Sequence, residues 1–125
     1  MRFSKSWFAI NITINIPDNI EFIDSEAFAN CSNLESVRFG RSVSVIYYGA
    51  FTNCHNLSNV YLNEGLLEIG QYAFKNTSIE KIRLPQSLRD IDIQAFPELM
   101  TMQVYRGSYA ESFAITNGYE VEYLN

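Results

Sequence analysis

One dipeptide sets the frame for this chain. Ala-Phe stands at Ala27-Phe28, Ala50-Phe51, Ala73-Phe74 and Ala95-Phe96, at steps of 23, 23 and 22 residues. A fixed period marks a chain that winds into like turns, because each unit then sets the same side chain against its counterpart in the next. Other positions recur in phase. Ile23, Ile46, Ile69 and Ile91 each precede a Phe by five residues, and Ile20, Val43, Leu66 and Leu88 lie three residues before those. Upstream again come Ile14 and Ile16, Val37 and Phe39, Val60 and Leu62, Ile82 and Leu84, with Met102 and Val104 opening a further turn. The period-2 spacing within each pair is that of a short strand with one buried face. Stacked turns would align these strands into a parallel sheet and leave the remaining apolar positions to fill the interior.

Each unit's core reads Leu34-x-x-Val37-x-Phe39, Leu57-x-x-Val60-x-Leu62, Ile79-x-x-Ile82-x-Leu84 and Leu99-x-x-Met102-x-Val104. The loops shorten along the chain: the step from Phe28 to Leu34 is six residues, from Phe74 to Ile79 five, and from Phe96 to Leu99 three. Deletions confined to one segment mark it as a loop. A period near 23 residues lies in the leucine-rich range, outside those of ankyrin and tetratricopeptide repeats or propeller blades. The fold expected is a leucine-rich repeat solenoid of about four to five copies, a right-handed β/α superhelix. Its parallel strands are short, and its convex segments are turns or single helical or 3₁₀ turns. The four Phe rings are expected to form a buried column on the side away from the sheet. No single unit can bury its apolar face alone, so about three or more must stack.

Residues 1–125 read as one domain, with repeats over about 12–106 and a cap over 107–125. A solenoid must hide its terminal apolar faces. Ser108-Tyr109-Ala110-Glu111 fits a capping box, in which the Ser hydroxyl takes a free backbone N–H and the Glu reaches back. Tyr109, Ala110, Phe113 and Ala114 share one helical face. Asn117-Gly118 is a helix stop, and the alternation of Tyr119, Val121 and Tyr123 indicates a closing strand. At the other end two readings stand: Trp7 and Phe8 cover the open edge beside Ile12–Ile16, or the array continues upstream.

Composition narrows the function classes. The net charge of −5 disfavours general nucleic-acid binding, which depends on neutralising phosphates. No stretch approaches the roughly 20 apolar residues of a membrane span. Met1–Lys5 carries two early cations, but Ile10, Ile12, Ile14 and Ile16 alternate with Asn11, Thr13 and Asn15, which is strand periodicity rather than a signal-peptide core. Any export signal is expected to be missing here or to lie outside this chain.

In a stacked sheet the outward side chains also form columns. One is expected to hold Asn15, Arg38, Tyr61, Arg83 and Gln103, and a second Thr13, Ser36, Asn59, Lys81 and Thr101. Together they would tile the concave face, with Tyr61 between two guanidinium groups and Lys81 adding positive charge. Tyr and Arg are the residues most often found as binding hot spots. The candidate partner-binding set is therefore Arg38, Tyr61, Arg83, Gln103, Ser36, Asn59 and Lys81, facing a protein or glycan ligand. The bland counterpart is a solvated sheet face on which Arg stacks on Tyr.

Cys31 and Cys54 occupy equivalent positions one repeat apart and are expected as a reduced ladder. Beside them Asn30, Asn53 and Asn76 would bond backbone between turns. Four Asn-x-Ser/Thr sequons, at Asn11, Asn30, Asn56 and Asn76, read as by-products of an Asn- and Ser-rich repeat. The lone histidine, His55, sits at a variable loop position, and adjacency in sequence does not make it a base for Cys54. No phosphate-binding glycine motif and no metal-ligand spacing occurs. The acids Glu111, Glu120 and Glu122 read as a solvated cap face. No catalytic residue, cofactor or metal is called.

The motifs Ile69-Gly70-x-x-Ala73-Phe74, Asn30-Cys31-x-Asn33-Leu34 and Ile82-Arg83-Leu84-Pro85, with their cognates, resemble the BspA-like leucine-rich repeat family of the treponemal subtype. The resemblance spans roughly Ile12–Asn125. Gly70 is replaced by Asp24, Tyr47 and Asp92, and Pro85 is matched only by Pro17, so the shapes of individual turns depart from the family pattern. Similar Gly-Ser-x-Ala-Glu helices close arrays in that family. The resemblance implies a binding module in a cell-surface or secreted setting, with roles in adhesion. The alternative is a structural spacer or a fragment of a longer array.

Overall fold

The computed structural model describes residues 11–125, so Trp7 and Phe8 lie outside it. In chain order the elements are β1 (Ile12–Asn15), β2 (Phe22–Ile23), β3 (Leu34–Arg38), β4 (Val45–Ile46), β5 (Asn59–Tyr61), β6 (Glu68–Ile69), β7 (Lys81–Arg83), β8 (Asp90–Ile91), β9 (Thr101–Val104), α1 (Tyr109–Thr116) and β10 (Glu120–Tyr123). Every strand pairing is parallel. The chain is a parallel-strand solenoid of about five turns with a helix near its C-terminus.

Each of the first four turns contributes two strands. The longer ones form the expected ladder, but it is divided into β1-β3-β5 and β7-β9-β10. The break coincides with the one-residue deletion between Phe74 and Ile79, which shortens the step from Tyr61 to Arg83 to 22 residues. A second ladder, β2-β4-β6-β8, is built from two-residue strands. It points Ile23, Ile46, Ile69 and Ile91 into the core, each at most 4% exposed. This second ladder accounts for the isoleucine recurrence.

The Phe column is present. Phe28, Phe51, Phe74 and Phe96 stack with centroid separations of 5.1, 5.3 and 5.4 Å and near-parallel planes. Phe51, Phe74 and Phe96 are buried, whereas Phe28 at the first turn is half-buried. The approach to each ring is a tight turn rather than a helical one. Ala27, Ala50, Ala73 and Ala95 donate to the carbonyls of Asp24, Tyr47, Gly70 and Asp92 at 3.0–3.2 Å. Glu26, Gly49 and Tyr72 take left-handed backbone within these turns, with φ of 59°, 59° and 62°. The backbone of the turns is laddered as well: Phe28, Phe51 and Phe74 N–H groups donate to Ala50, Ala73 and Ala95 of the next turn at 2.7–2.8 Å. The orphan backbone groups of an irregular segment are thus satisfied by its neighbour.

Two local expectations are corrected. Leu99 does not close the fourth unit: it is 92% exposed, and Met100 is buried in its place. The truncated loop after Phe96 leaves too few residues to keep the earlier phase, so the chain turns in one residue later. Asn30, Asn53 and Asn76 do not bond backbone between turns through their amides. They sit at left-handed positions, φ 60–63°, and bond each other: Asn53 Nδ2 donates to Asn30 Oδ1 at 3.1 Å, and Asn76 Nδ2 to Asn53 Oδ1 at 2.8 Å. Asparagine tolerates this backbone better than most residues.

The cap forms with small differences. Ser108 Oγ accepts from Glu111 N–H at 3.1 Å, but the Glu111 carboxylate takes Gly107 N–H at 3.0 Å rather than the N–H of Ser108, which donates to Tyr105. At the far end Gly118 (φ +79°) donates to Ile115, and Tyr119 donates to Ala114. That is a Schellman closure, with the Phe113 and Tyr119 rings stacked 6.0 Å apart beneath it. Ala110, Phe113 and Ala114 seal the core, and β10 then adds a last strand beside β9.

Candidate functional site

The long-strand ladder places the anticipated outward residues in rows. Strand register pairs Asn15 with Arg38 and Arg38 with Tyr61, then, beyond the break, Arg83 with Gln103. The second row pairs Thr13 with Ser36 and Ser36 with Asn59, then Lys81 with Thr101. The inward neighbours Val37, Val60, Ile82 and Met102 are buried, so these rows are fixed by the core beneath them. Arg38, Asn59, Tyr61, Lys81 and Arg83 are exposed, and Ser36 and Gln103 are half-exposed.

The guanidinium of Arg38 lies 4.5 Å from the centre of the Tyr61 ring, which is itself 49% exposed. Asn59 Nδ2 donates to Ser36 Oγ at 3.3 Å in the adjacent row. Arg83 does not reach Tyr61. It crosses to Tyr105, lies 5.5 Å from that ring's centre and donates to its hydroxyl. Strand pairing of β7 with β9 brings Tyr105 near Arg83. Tyr61 therefore receives one cation, not two.

Lys81 is also not a free charge. Its Nζ lies 2.8 Å from a carboxylate oxygen of Glu122, whose other oxygen accepts from Gln103 Nε2 at 3.2 Å. The Lys81 ammonium, and then the Gln103 amide, hold the Glu122 carboxyl below the usual carboxylate value. Glu122 thus extends the row rather than standing on a solvated cap face. Tyr105 and Glu122 are the members that sequence reasoning missed. Tyr105 stands where earlier units carry Pro17, Gly40, Asn63 and Pro85, so no column pointed to it. For Glu122 the signal lay in the alternation of 119–123, which placed it outward without fixing a register.

The face offers two Arg–Tyr pairs, a hydrogen-bonded Ser–Asn pair and a neutralised Lys–Glu–Gln cluster. This can hold a partner through aromatic contact and charge-assisted hydrogen bonds. Cys54, by contrast, is buried, donates its thiol to the Phe28 carbonyl at 3.0 Å and is pushed up to about 11, chiefly by burial. At neutral pH it stays a thiol, not the thiolate a nucleophile requires. Both Cys31 and Cys54 are free. No helix among the described residues is long and apolar enough to cross a membrane.

Stacked parallel turns, a phenylalanine spine and register-locked outward rows define the class of leucine-rich repeat solenoids. The chain belongs to the BspA type leucine rich repeat family: the model of that repeat region matches residues 4–104 as six copies. Six exceeds the four to five turns counted from Ala-Phe, and the match opens ahead of the first such pair. No curated protein matches the chain by sequence. Among solved structures, a leucine-rich repeat protein of T. pallidum superposes with a TM-score of 0.60 at 24% identity, over 74% of this chain and 58% of that one. A leucine-rich repeat protein of Bacteroides ovatus gives 0.58 at 20%, over 89% of this chain and 33% of that one. The chain thus spans less than two thirds of either.

Proposed function

We propose that this chain is a binding module of a cell-surface or secreted adhesion-type protein, and that it recognises a protein or glycan partner through the outward rows of the long-strand ladder. The carrying observation is the exposed Arg38–Tyr61 pair, repeated as Arg83–Tyr105 on the other side of the ladder break. A stacked guanidinium keeps its in-plane donors free for a carboxylate or sulfate, while the ring offers apolar area at low entropic cost. Ser36, Asn59, Gln103 and Lys81 supply the polar rim. Membership of a repeat family that typically works by protein interaction supports the reading, as does its surface or secreted setting.

The test is to probe the immobilised chain with an array of extracellular proteins and acidic glycans, alongside an Arg38→Ala/Tyr61→Ala variant. A captured ligand should be lost from the variant while its melting temperature stays within about 5 °C of the parent, since an exposed cation–π pair contributes roughly 0.5–1 kcal/mol. Retention of that ligand by the variant would overturn the assignment. An array on which nothing binds would favour a spacer.

A further inference from the structure

A second exposed feature lies on the short-strand ladder. Phe22, Tyr47 and Tyr48 are 50%, 42% and 45% exposed, unusual for rings with a core available. They form two separate ring pairs: Phe22 and Tyr47 have centroids 6.2 Å apart, and Tyr48 meets Tyr72 at 5.5 Å. A hollow of about 470 Å³ is lined by Phe22, Asp24, Ser25 and Tyr47. Asp24 lines the hollow with the two rings, and register continues the Phe22 row through Val45 to Glu68 and Asp90. Asp24, Glu26, Glu68 and Asp90 form no ion pair among the described residues. Arg89 follows Leu88 and precedes Asp90, and the Lys75 Nζ lies 4.7 Å from the centre of the Tyr72 ring.

We propose that this face docks a lysine- or arginine-rich segment of a partner protein, one cationic side chain lying in the shallow hollow over the exposed faces of Phe22 and Tyr47, beside Asp24. This surface is separate from the long-strand face and goes beyond the function proposed above. Charge complementarity selects the occupant, because the unpaired carboxylate of Asp24 borders the two rings in a chain of net charge −5. Lys75 over Tyr72 is one instance of the same contact within the chain. Ring geometry argues against a sugar: the planes of Phe22 and Tyr47 are 48° apart and those of Tyr48 and Tyr72 are 63° apart. Neither pair offers one flat platform for a pyranose.

The experiment titrates the intact chain with a fluorescent peptide of alternating lysine and glycine at about 0.15 M salt, where diffuse surface attraction is screened. Saturable binding is expected. Tyr47→Ala and Asp24→Asn should each weaken it roughly fivefold, and Tyr47→Phe should restore the first loss. Glu98→Gln, the same charge change elsewhere, should alter it by less than about twofold. Equal losses in Asp24→Asn and Glu98→Gln, or no saturable binding, would overturn the proposal. So would Tyr47-dependent binding of a neutral hexose oligosaccharide in place of the peptide.

Discussion

Gly40 shows how closely the turns approach. A Cβ built there would come within 2.5 Å of the Ile16 and Pro17 carbonyl oxygens, backbone atoms of the preceding turn that cannot swing aside. Gly40→Ala should therefore lower the unfolding free energy by about 2–3 kcal/mol, read from denaturant melts. An unchanged midpoint would show that the turns have slack. Nothing in the repeat pattern announced this residue, because its cognates are Pro17, Asn63, Pro85 and Tyr105. Cys54 gives a pH signature. Its thiol is raised from 9.0 to about 11, so between those values the unfolded chain loses the proton and the folded chain keeps it. This contribution to stability is complete below about pH 9 and fades as pH rises toward 11. Cys54→Ala should flatten that part of the stability profile, although it lowers the baseline by removing a buried group. A slope identical in both proteins would mean that other groups cause it.

Between turns, the asparagine ladder joins backbone strain to side-chain bonding. Asn53 holds φ near 61°, donates to Asn30 and accepts from Asn76. Asn53→Gly keeps the left-handed backbone and loses the ladder, whereas Asn53→Ala loses both. The alanine variant should be less stable than the glycine variant by about 1 kcal/mol, the ordinary cost of a left-handed Cβ. Equal stabilities would place the value of Asn53 in its amide alone. The cap offers a comparable case: Ser108→Ala should cost about 1 kcal/mol, measured by thermal unfolding, because Glu111 N–H loses its acceptor. Elements differed in how far the residues announced them. The long strands and the capping helix were legible from period-2 and period-3.6 spacing. The short ladder was not, because two residues carry no alternation, and only the recurrence of Ile23, Ile46, Ile69 and Ile91 hinted at it. The fourth loop showed its deletion but not which of Leu99 and Met100 would turn inward.

At the scale of the whole molecule, inward and outward residues do separate work. The Phe column and the isoleucine rows hold successive turns in register, and that register alone aligns Arg38 with Tyr61 and Arg83 with Gln103. Most of the candidate face was therefore legible once the period was found. The Arg83–Tyr105 and Lys81–Glu122 contacts were not, because they depend on where one deletion breaks the ladder and on the register of the closing strand. Stability in such an array is a sum over units and their interfaces. The most direct test is hydrogen exchange on Phe74→Ala, which empties the ring position between Phe51 and Phe96 at an expected cost of roughly 3–5 kcal/mol. The expected result is lost protection at the Phe74 amide and also at the Phe51 amide, which donates to Ala73 in the altered turn. Loss confined to the residues around position 74, with Phe51 as protected as before, would contradict a register held by one continuous spine.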